Sequence, residues 1–366
     1  MTSAVYLDWN ATSPPLASVI EVMADTARQA WGNPASVHAS GRAARDVVES
    51  AREEIARLVE ASPRDVIFTS GGTEANNLAL HAAPALVTSV LEHPSITRVA
   101  EMLEAAGRAV RWLPVPANGR LEPEAVAAAL VGLAAGAVVA VAAANHETGV
   151  IQPLAEIAEV VRAAGARLHV DAVQGVGKLP AEVLSGADTL SLAAHKIRGP
   201  KGIGALVHRP ERAPRPLLVG GSQERGRRPG TVDPVAAAGF RVAAAWARQS
   251  LPSRALLGPL RDRLELELVR QGALVNGADA PRLAHVSNLS FAGVAGDELV
   301  AALDLLGVAV SSGSACSAGT TEPSKIIQAM GGLARARGAV RVSLGDATTE
   351  RDVELALAAF ARVLHQ

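Results

Sequence analysis

Four side chains in this sequence have the type and setting for covalent or proton-transfer chemistry. The first is Cys316, the single cysteine of the 366 residues, within Ser311-Ser-Gly-Ser-Ala-Cys-Ser-Ala-Gly. That stretch is too small and polar to bury a thiol well, so a packed apolar cysteine fits poorly and an exposed nucleophile fits better. The second is Lys196, in His195-Lys-Ile-Arg-Gly-Pro-Lys-Gly, where a lysine ends one candidate strand and glycines lead into the next. Partial burial there favours the neutral amine that attacks an aldehyde to form a Schiff base, although a lone lysine is also an ordinary surface charge. The only other lysines are Lys178, Lys201 and Lys325. Lys201 lies in the Gly/Pro turn, and Lys178 and Lys325 have no comparable setting. The third is Asp171 in Leu168-His-Val-Asp-Ala-Val-Gln, just past a buried strand, where open α/β sheets bind ligands. It can face a cationic ring nitrogen or cap the next turn. The fourth is His93, in Leu91-Glu-His-Pro, placed to stack on a flat ring, move a proton or serve structure alone.

A second kind of signal is Val66-Ile-Phe-Thr-Ser-Gly-Gly-Thr-Glu-Ala-Asn-Asn, a strand that turns through two glycines into a helix beginning near Thr73. Free amides of a first helical turn and the positive end of the helix dipole make such a turn an anion site. Thr73 with Glu74 reads equally as a helix cap.

These residues need a scaffold that brings strand ends together. From about residue 65 to 210, short β-branched runs alternate with stretches of helical period. Strands are predicted over Val66–Thr69, Leu86–Val90, Ala109–Leu113, Val138–Ala142, Arg167–Val170, Thr189–Leu192 and Gly204–Val207. Helices are predicted near Glu74–Ala82, Ser95–Ala106, Pro123–Val131 and Pro153–Ala164, and the pattern is that of a largely parallel α/β sheet. After a helix near Val235–Arg248, the Ser/Pro/Gly-containing segment 249–259 reads as a joint. Beyond it come a helix from Leu260, strand-like Val286–Phe291, a helix at Asp297–Leu306 and an amphipathic helix at Glu350–Leu364, a smaller α+β unit. The expected division is 13–250 for the large domain, with 1–12 and 251–366 forming the small one.

Composition narrows the partners. Net charge is −1 and 49% of residues are hydrophobic, with no dense basic block, so neither a nucleic-acid groove nor a membrane surface is expected. Residues 1–10 carry no basic or long apolar segment, which predicts no secretory signal. A lone cysteine excludes a disulfide within the chain and suits a reducing, cytoplasmic setting.

Together the segments resemble the cysteine desulfurases of the class V aminotransferase group, within pyridoxal-phosphate (PLP) fold type I. The match runs nearly end to end. It includes Tyr6-Leu-Asp-Trp-Asn-Ala-Thr, Gly32-Asn-Pro-Ala-Ser-Val-His, Thr69-Ser-Gly-Gly-Thr-Glu, Asn145-His-Glu-Thr-Gly, His169-Val-Asp-Ala-Val-Gln, Gly199-Pro-Lys-Gly-Ile-Gly, Gly230-Thr, the cysteine loop and Arg341-Val-Ser-Leu-Gly. The resemblance implies a seven-stranded, mainly parallel sheet plus the smaller α+β domain, and PLP as cofactor. It implies that Lys196 forms the Schiff base, Asp171 pairs with the pyridinium nitrogen, Gln174 bonds the phenolic oxygen and His93 stacks on the ring. Gly72, Thr73 and His195 would hold the phosphate, with Thr231 reaching the cofactor of a second subunit in a homodimer. Asn33 and Arg341 match positions that bind the substrate carboxylate. The implied reaction converts L-cysteine to L-alanine: the freed amine of Lys196 or His93 takes the Cα proton, and Cys316 receives the sulfur as a persulfide for an acceptor or scaffold protein.

Two departures from the family pattern stand out. His146 replaces the second Asn of Asn-Asn-Glu, so an imidazole meets the phenolic oxygen in place of an amide. Ala193 replaces a serine two residues before His195, which removes a phosphate hydrogen bond and predicts weaker PLP retention. Other readings are a selenocysteine lyase or another class V enzyme, which would not need Cys316, and a low-activity sulfur-relay scaffold, which would not need Lys196, Asp171, His93 and Cys316 together.

Overall fold

A computed structural model describes residues 5–209, 214–313 and 322–364. Its centre is a seven-stranded sheet built from β2 (Val66–Thr69), β3 (Ala85–Thr88), β4 (Ala109–Trp112), β5 (Val138–Ala142), β6 (Arg167–Asp171), β7 (Thr189–Ala193) and β8 (Gly204–His208). The strand order is β2-β8-β7-β6-β5-β3-β4. All pairs are parallel except those made by β8, which runs antiparallel to both β2 and β7. Every residue of β2, β3, β5 and β8 is buried. This is why these strands read as unbroken apolar runs: helices cover both faces of a parallel sheet.

The predicted strand over 86–90 lies one register earlier, at Ala85–Thr88, because Ser89 and Val90 already belong to the turn that carries His93. Helices α3 (Gly72–Leu80), α4 (Pro94–Ala105), α5 (Pro123–Leu130) and α6 (Leu154–Ala163) lie between the strands, close to their predicted spans. Sequence analysis did not place α1 (Ala17–Gln29) and α2 (Ala39–Leu58), which pack against α7 (Pro234–Ser250). The buried residues of α2 include Gly41, Ala44, Val48, Ala51, Ile55 and Ala56 beside the charged Arg52 and Glu54, a mixture of small and charged residues that yields a faint apolar signal.

A second apolar core is built around α8 (Leu257–Arg270), β9 (Leu274–Val275), β10 (Val286–Ser290), α9 (Gly296–Leu305), β12 (Ala339–Ser343) and α12 (Glu350–Leu364). Its antiparallel sheet runs β12-β10-β9. The chain start joins it: β1 (Val5–Tyr6) pairs in parallel with β11 (Val308–Ala309), and Asp8 bridges to Ser343. Between β11 and β12, α10 (Lys325–Gly331) and α11 (Leu333–Arg337) pack with the main core. The start of the chain thus reaches the strand that carries Arg341 and continues, through Asn10, to the carboxyl ends of the large sheet.

Candidate active site

The carboxyl ends of the parallel strands open onto one cavity of about 220 Å³, lined by Asn10, Gly72, Thr73, Asn76, His93, Ser95, His146, Asp171, Gln174, Ala193, His195, Lys196 and Arg341 among others. Its position agrees with the general rule that ligands of such sheets sit beyond the strands' carboxyl ends.

Asp171 is the last residue of β6. Its Oδ2 accepts from Asn76 Nδ2 at 2.7 Å, and its Oδ1 accepts from the Val173 amide at 3.0 Å. Both readings of this residue therefore coexist: one oxygen caps the turn, and the carboxylate as a whole faces the cavity. A carboxylate only accepts, so the nitrogen of the Asn76 amide must face Asp171. The second hydrogen of that nitrogen goes to Ser95 Oγ at 2.8 Å, and Asn76 Oδ1 accepts from His169 Nε2 at 2.9 Å. His169 Nδ1 then takes the hydrogen of the Thr189 hydroxyl at 2.8 Å. Burial pushes His169 down to about 3, which keeps it neutral as this pattern requires.

With its oxygen engaged as an acceptor, Ser95 turns its own hydrogen to His93 Nδ1 at 2.8 Å, and its backbone N–H points to the same nitrogen at 3.1 Å. Two donors on Nδ1 place the proton of neutral His93 on Nε2. Burial lowers the His93 pKa, Asp171 opposes that change and Lys196 adds to it.

Lys196 follows β7 in a short 3-10 turn, Ala194–Ile197. Its Nζ donates to the carbonyls of Asn10 at 2.6 Å and Ala11 at 2.9 Å. His195 rests on Thr12 Oγ1 at 3.1 Å, and burial, reinforced by Lys196, Lys178 and Lys201, pushes its pKa down to about 4. Arg341, on β12, is 1% exposed. Its Nη2 pairs with Asp8 at 2.6 Å and its Nη1 donates to the His146 carbonyl at 3.1 Å, while Nε has no partner among the described residues. The His146 ring meets His93 edge-on, with centroids 5.5 Å apart. Burial, with His93, Arg341 and Lys196, holds His146 well below the usual imidazole range.

The turn at the carboxyl end of β2 is an anion site in form. Gly71 is the N-cap of α3 and makes no side-chain cap bond, so Thr73 is not the cap that was an open reading of its sequence. Glu74 instead accepts from the Ser70 amide at 2.7 Å and pairs with Arg228 at 2.8 Å. The approach is close: a Cβ on Gly72 would stand 2.7 Å from Val173 Cγ2, and one on Gly204 would stand 2.4 Å from the Leu192 carbonyl. Neither position has room for a side chain, so the backbone at the start of α3, where Gly72 lines the cavity, packs closely against its neighbours.

Three predicted site residues are not among those lining this cavity. Asn33 is exposed and its Oδ1 accepts from the Ala35 amide at 2.9 Å, and Thr231 is exposed directly after the 220–230 loop. Cys316 lies outside the described residues. Sequence reasoning missed Asn10, Asn76, Ser95 and Lys178. It set Lys178 aside as lacking a suitable setting, yet Lys178 donates to Gln174 at 2.5 Å. The spacing of four from Gln174 was the signal available for it. No group of metal-ligating side chains occurs among the described residues.

The aminotransferase class-V family model matches residues 5–356. The chain belongs to the class-V aminotransferase family. It is similar to an IscS-like cysteine desulfurase of Mycobacterium tuberculosis, 42% identical over 370 residues that cover 96% of this chain and 94% of the relative. A cysteine desulfurase of Bradyrhizobium diazoefficiens is 41% identical over 372 residues, covering 98% and 94%. A solved NifS-like protein superposes with a TM-score of 0.90 at 31% identity, covering 99% of each chain.

Class-V aminotransferases use PLP, and the cavity's donor set fits it. Lys196 would supply the amine for the aldehyde, Asp171 a carboxylate for the ring nitrogen, and Gln174 an amide donor beside the ring. Gly72 and Thr73 supply the amides and hydroxyl of a helix start for the phosphate.

Proposed function

We propose that this chain is a PLP-dependent cysteine desulfurase that converts L-cysteine to L-alanine and collects the sulfur on Cys316. The observation that carries the reading is the convergence of Lys196, Asp171, His93 and Arg341 on one cavity. Bound PLP supplies the electron sink that makes the Cα–H of an amino acid acidic.

The chain's own groups divide the remaining work. Arg341 receives the substrate carboxylate on the edge that carries its unpartnered Nε. Neutral His93 holds its proton on Nε2, with its basic Nδ1 already taken by Ser95. It therefore acts as a donor at the cavity, and Lys196 takes the Cα proton. Asn76 fixes Asp171 and, through Ser95, His93 in one hydrogen-bonded chain. The Cys316 thiolate attacks the sulfur of bound cysteine: an S–S bond forms as Cβ–S breaks, the electron pair stays on Cβ, which takes a proton from solvent, and return of the Cα proton from Lys196 gives alanine. The persulfide on Cys316 is delivered to an acceptor or scaffold protein of iron–sulfur cluster assembly or a thiolation pathway.

A second copy of the chain completes the site in this reading. Thr231 is exposed and outside the cavity, and the preceding loop leaves Leu217, Leu218 and Val219 exposed, Val219 fully so. Trp31 and Val37 flank Asn33 and are exposed by 72% and 83%. Apolar surface of this kind marks an interface, and a homodimer places Thr231 at the partner's phosphate. A reducing cytoplasmic setting suits the single thiol. Among the described residues, no helix is long and apolar enough to cross a membrane.

The test is to load purified protein with PLP, add L-cysteine and a thiol reductant, and follow alanine and sulfide together, with Cys316→Ala in parallel. Equal amounts of both from wild type, and neither from the variant, is the expected result. Full turnover by the variant sinks the persulfide reading.

A further inference from the structure

Lys178 has no part in the chemistry above and does not itself line the cavity, yet the fold delivers its amine to Gln174, which does. After Asp171 the backbone turns with near-helical spacing through residue 178, with Val176 N–H bonded to the Ala172 carbonyl and Leu179 N–H to that of Gly175. Lys178 therefore lies on the same side as Gln174, four residues earlier. Its Nζ donates to Gln174 Oε1 at 2.5 Å. At the other end of the same amide, Gln174 Nε2 donates to the Asn10 carbonyl at 2.9 Å.

A carbonyl oxygen only accepts and an ammonium only donates, so both neighbours impose one orientation on Gln174: oxygen toward Lys178, nitrogen toward Asn10 and the cavity. Asn10 O also accepts from Lys196 Nζ, which occupies both of its lone pairs. The second amide hydrogen of Gln174, a residue 4% exposed, is left with no acceptor among the described residues. Lys178 itself forms no ion pair among them. Burial lowers its pKa, and the charges of Lys196, Arg254 and Arg341 lower it further. A neutral amine can still donate to Oε1, and the Asn10 carbonyl, which only accepts, still requires the amide nitrogen, so the orientation survives loss of the proton.

A buried amide donor without an acceptor, turned toward the cavity by its two neighbours, is satisfied by one thing, an anionic oxygen in the cavity beside Gln174. We propose that Lys178 is a positioning residue that holds and polarises the Gln174 amide, so that its remaining N–H donates to the phenolic oxygen of bound PLP. This rests on the reading of Gln174 as a cofactor contact. The lysine acts geometrically, by preventing the amide from turning its oxygen to the cavity. It also acts electrically, because a donor on an amide oxygen strengthens the same amide's N–H bonds.

The experiment uses full-length protein reconstituted with PLP, at one fixed pH, and compares wild type, Gln174→Ala, Lys178→Met and the double variant. PLP affinity and the position of the cofactor's visible absorption band are the readouts. Each single change is expected to weaken PLP binding about tenfold, ~1.4 kcal/mol, and to move the band in the same direction. The double variant should be no worse than Gln174→Ala, since the two residues act as one unit. Lys178→Arg, also a pure donor, should recover most of the loss. Lys178→Ala, which likewise removes the donor, gives the same comparison if the methionine variant does not fold. A wild-type band and affinity in Lys178→Met beside a changed Gln174→Ala overturns the role of Lys178 alone, as do additive losses in the double variant. No change in Gln174→Ala removes the cofactor contact itself, and the proposal with it.

Discussion

Arg52 and Arg341 are both almost fully buried, at 4% and 1% exposure, and they are satisfied very differently. Arg52, on α2, spends every donor: Nε on Glu49, Nη1 on the Val66 carbonyl and Glu224, and Nη2 on Glu49 and Glu224 at 2.8 Å. Glu224 in turn accepts from the Phe68 amide at 2.8 Å, closing the outer edge of β2. The pair pins the 220–230 loop through a residue at φ 49°, followed by Arg225 at φ 58°, conformations that only a well-determined setting maintains. Arg341 pairs with Asp8 and one carbonyl and leaves Nε without a partner among the described residues. A guanidinium whose donors are all matched belongs to the architecture. The Nε atoms of Arg120, Arg254 and Arg335 also lack hydrogen-bond partners among the described residues, but of these four only Arg341 lines the cavity, where a ligand can make the missing bond.

Three substitutions press on that contrast, taken from the largest effect down. Arg52→Met leaves Glu224 buried without its partner and should destabilise the fold by about 3–5 kcal/mol, read as a lower urea midpoint, with turnover per folded molecule changing much less. A stable Arg52→Met chain that has lost turnover would break the comparison at its structural end. Glu92 extends it to a carboxyl. Burial, reinforced by Asp171, pushes it up to about 8 from an ordinary 4.5, and its Oε2 has no hydrogen-bond partner among the described residues. Between those values the folded chain keeps this proton and the unfolded chain does not. Wild type should therefore lose stability relative to Glu92→Gln by about 1.4 kcal/mol per pH unit. The gap should open above pH 4.5 and level off past pH 8. A gap independent of pH means that Glu92 is ionised in the fold.

Arg341→Lys keeps the charge but removes the planar fork. It should lower kcat/KM for cysteine about a hundredfold, ~2.7 kcal/mol, at an unchanged urea midpoint. A loss of stability comparable to that of Arg52→Met would place Arg341 among the structural arginines.

Legibility in the sequence follows the same divide. Strands β2 and β5 and helix α12 have the predicted bounds, because an apolar run between turn residues and a long amphipathic period are local signals. Lys196, Asp171 and His93 were legible as residues at strand ends. The residues that hold them were not. Asn76 is a helix-interior asparagine whose meaning comes from Asp171, 95 positions away, and Asn10 matters through a carbonyl shared by Lys196 and Gln174. Backbone acceptors and amide orientation leave no mark on composition or periodicity. Helix α2 was missed for a related reason: its buried face is rich in alanine and glycine, which bury well yet carry little apolar contrast, and α1 buries only Val19 and Thr26.

Ala193 tests the contrast at its smallest scale, a single missing donor in the wall of the phosphate turn. The residue is 2% exposed and its methyl faces Gly72, 3.7 Å from where a Cβ on that glycine would stand. A serine hydroxyl at 193 would reach the start of α3 without altering the sheet, because the added atom points into the cavity that Ala193 already lines. One added bond to a charged phosphate should slow cofactor loss about tenfold, at the low end of the ~1.5–3 kcal/mol such bonds contribute. Dialysis of the holo forms side by side, followed by PLP absorbance, reads this directly. Equal retention by wild type and Ala193→Ser would mean that the amides of Gly72 and Thr73, with His195, already saturate the phosphate, and that the wild-type alanine costs the site nothing.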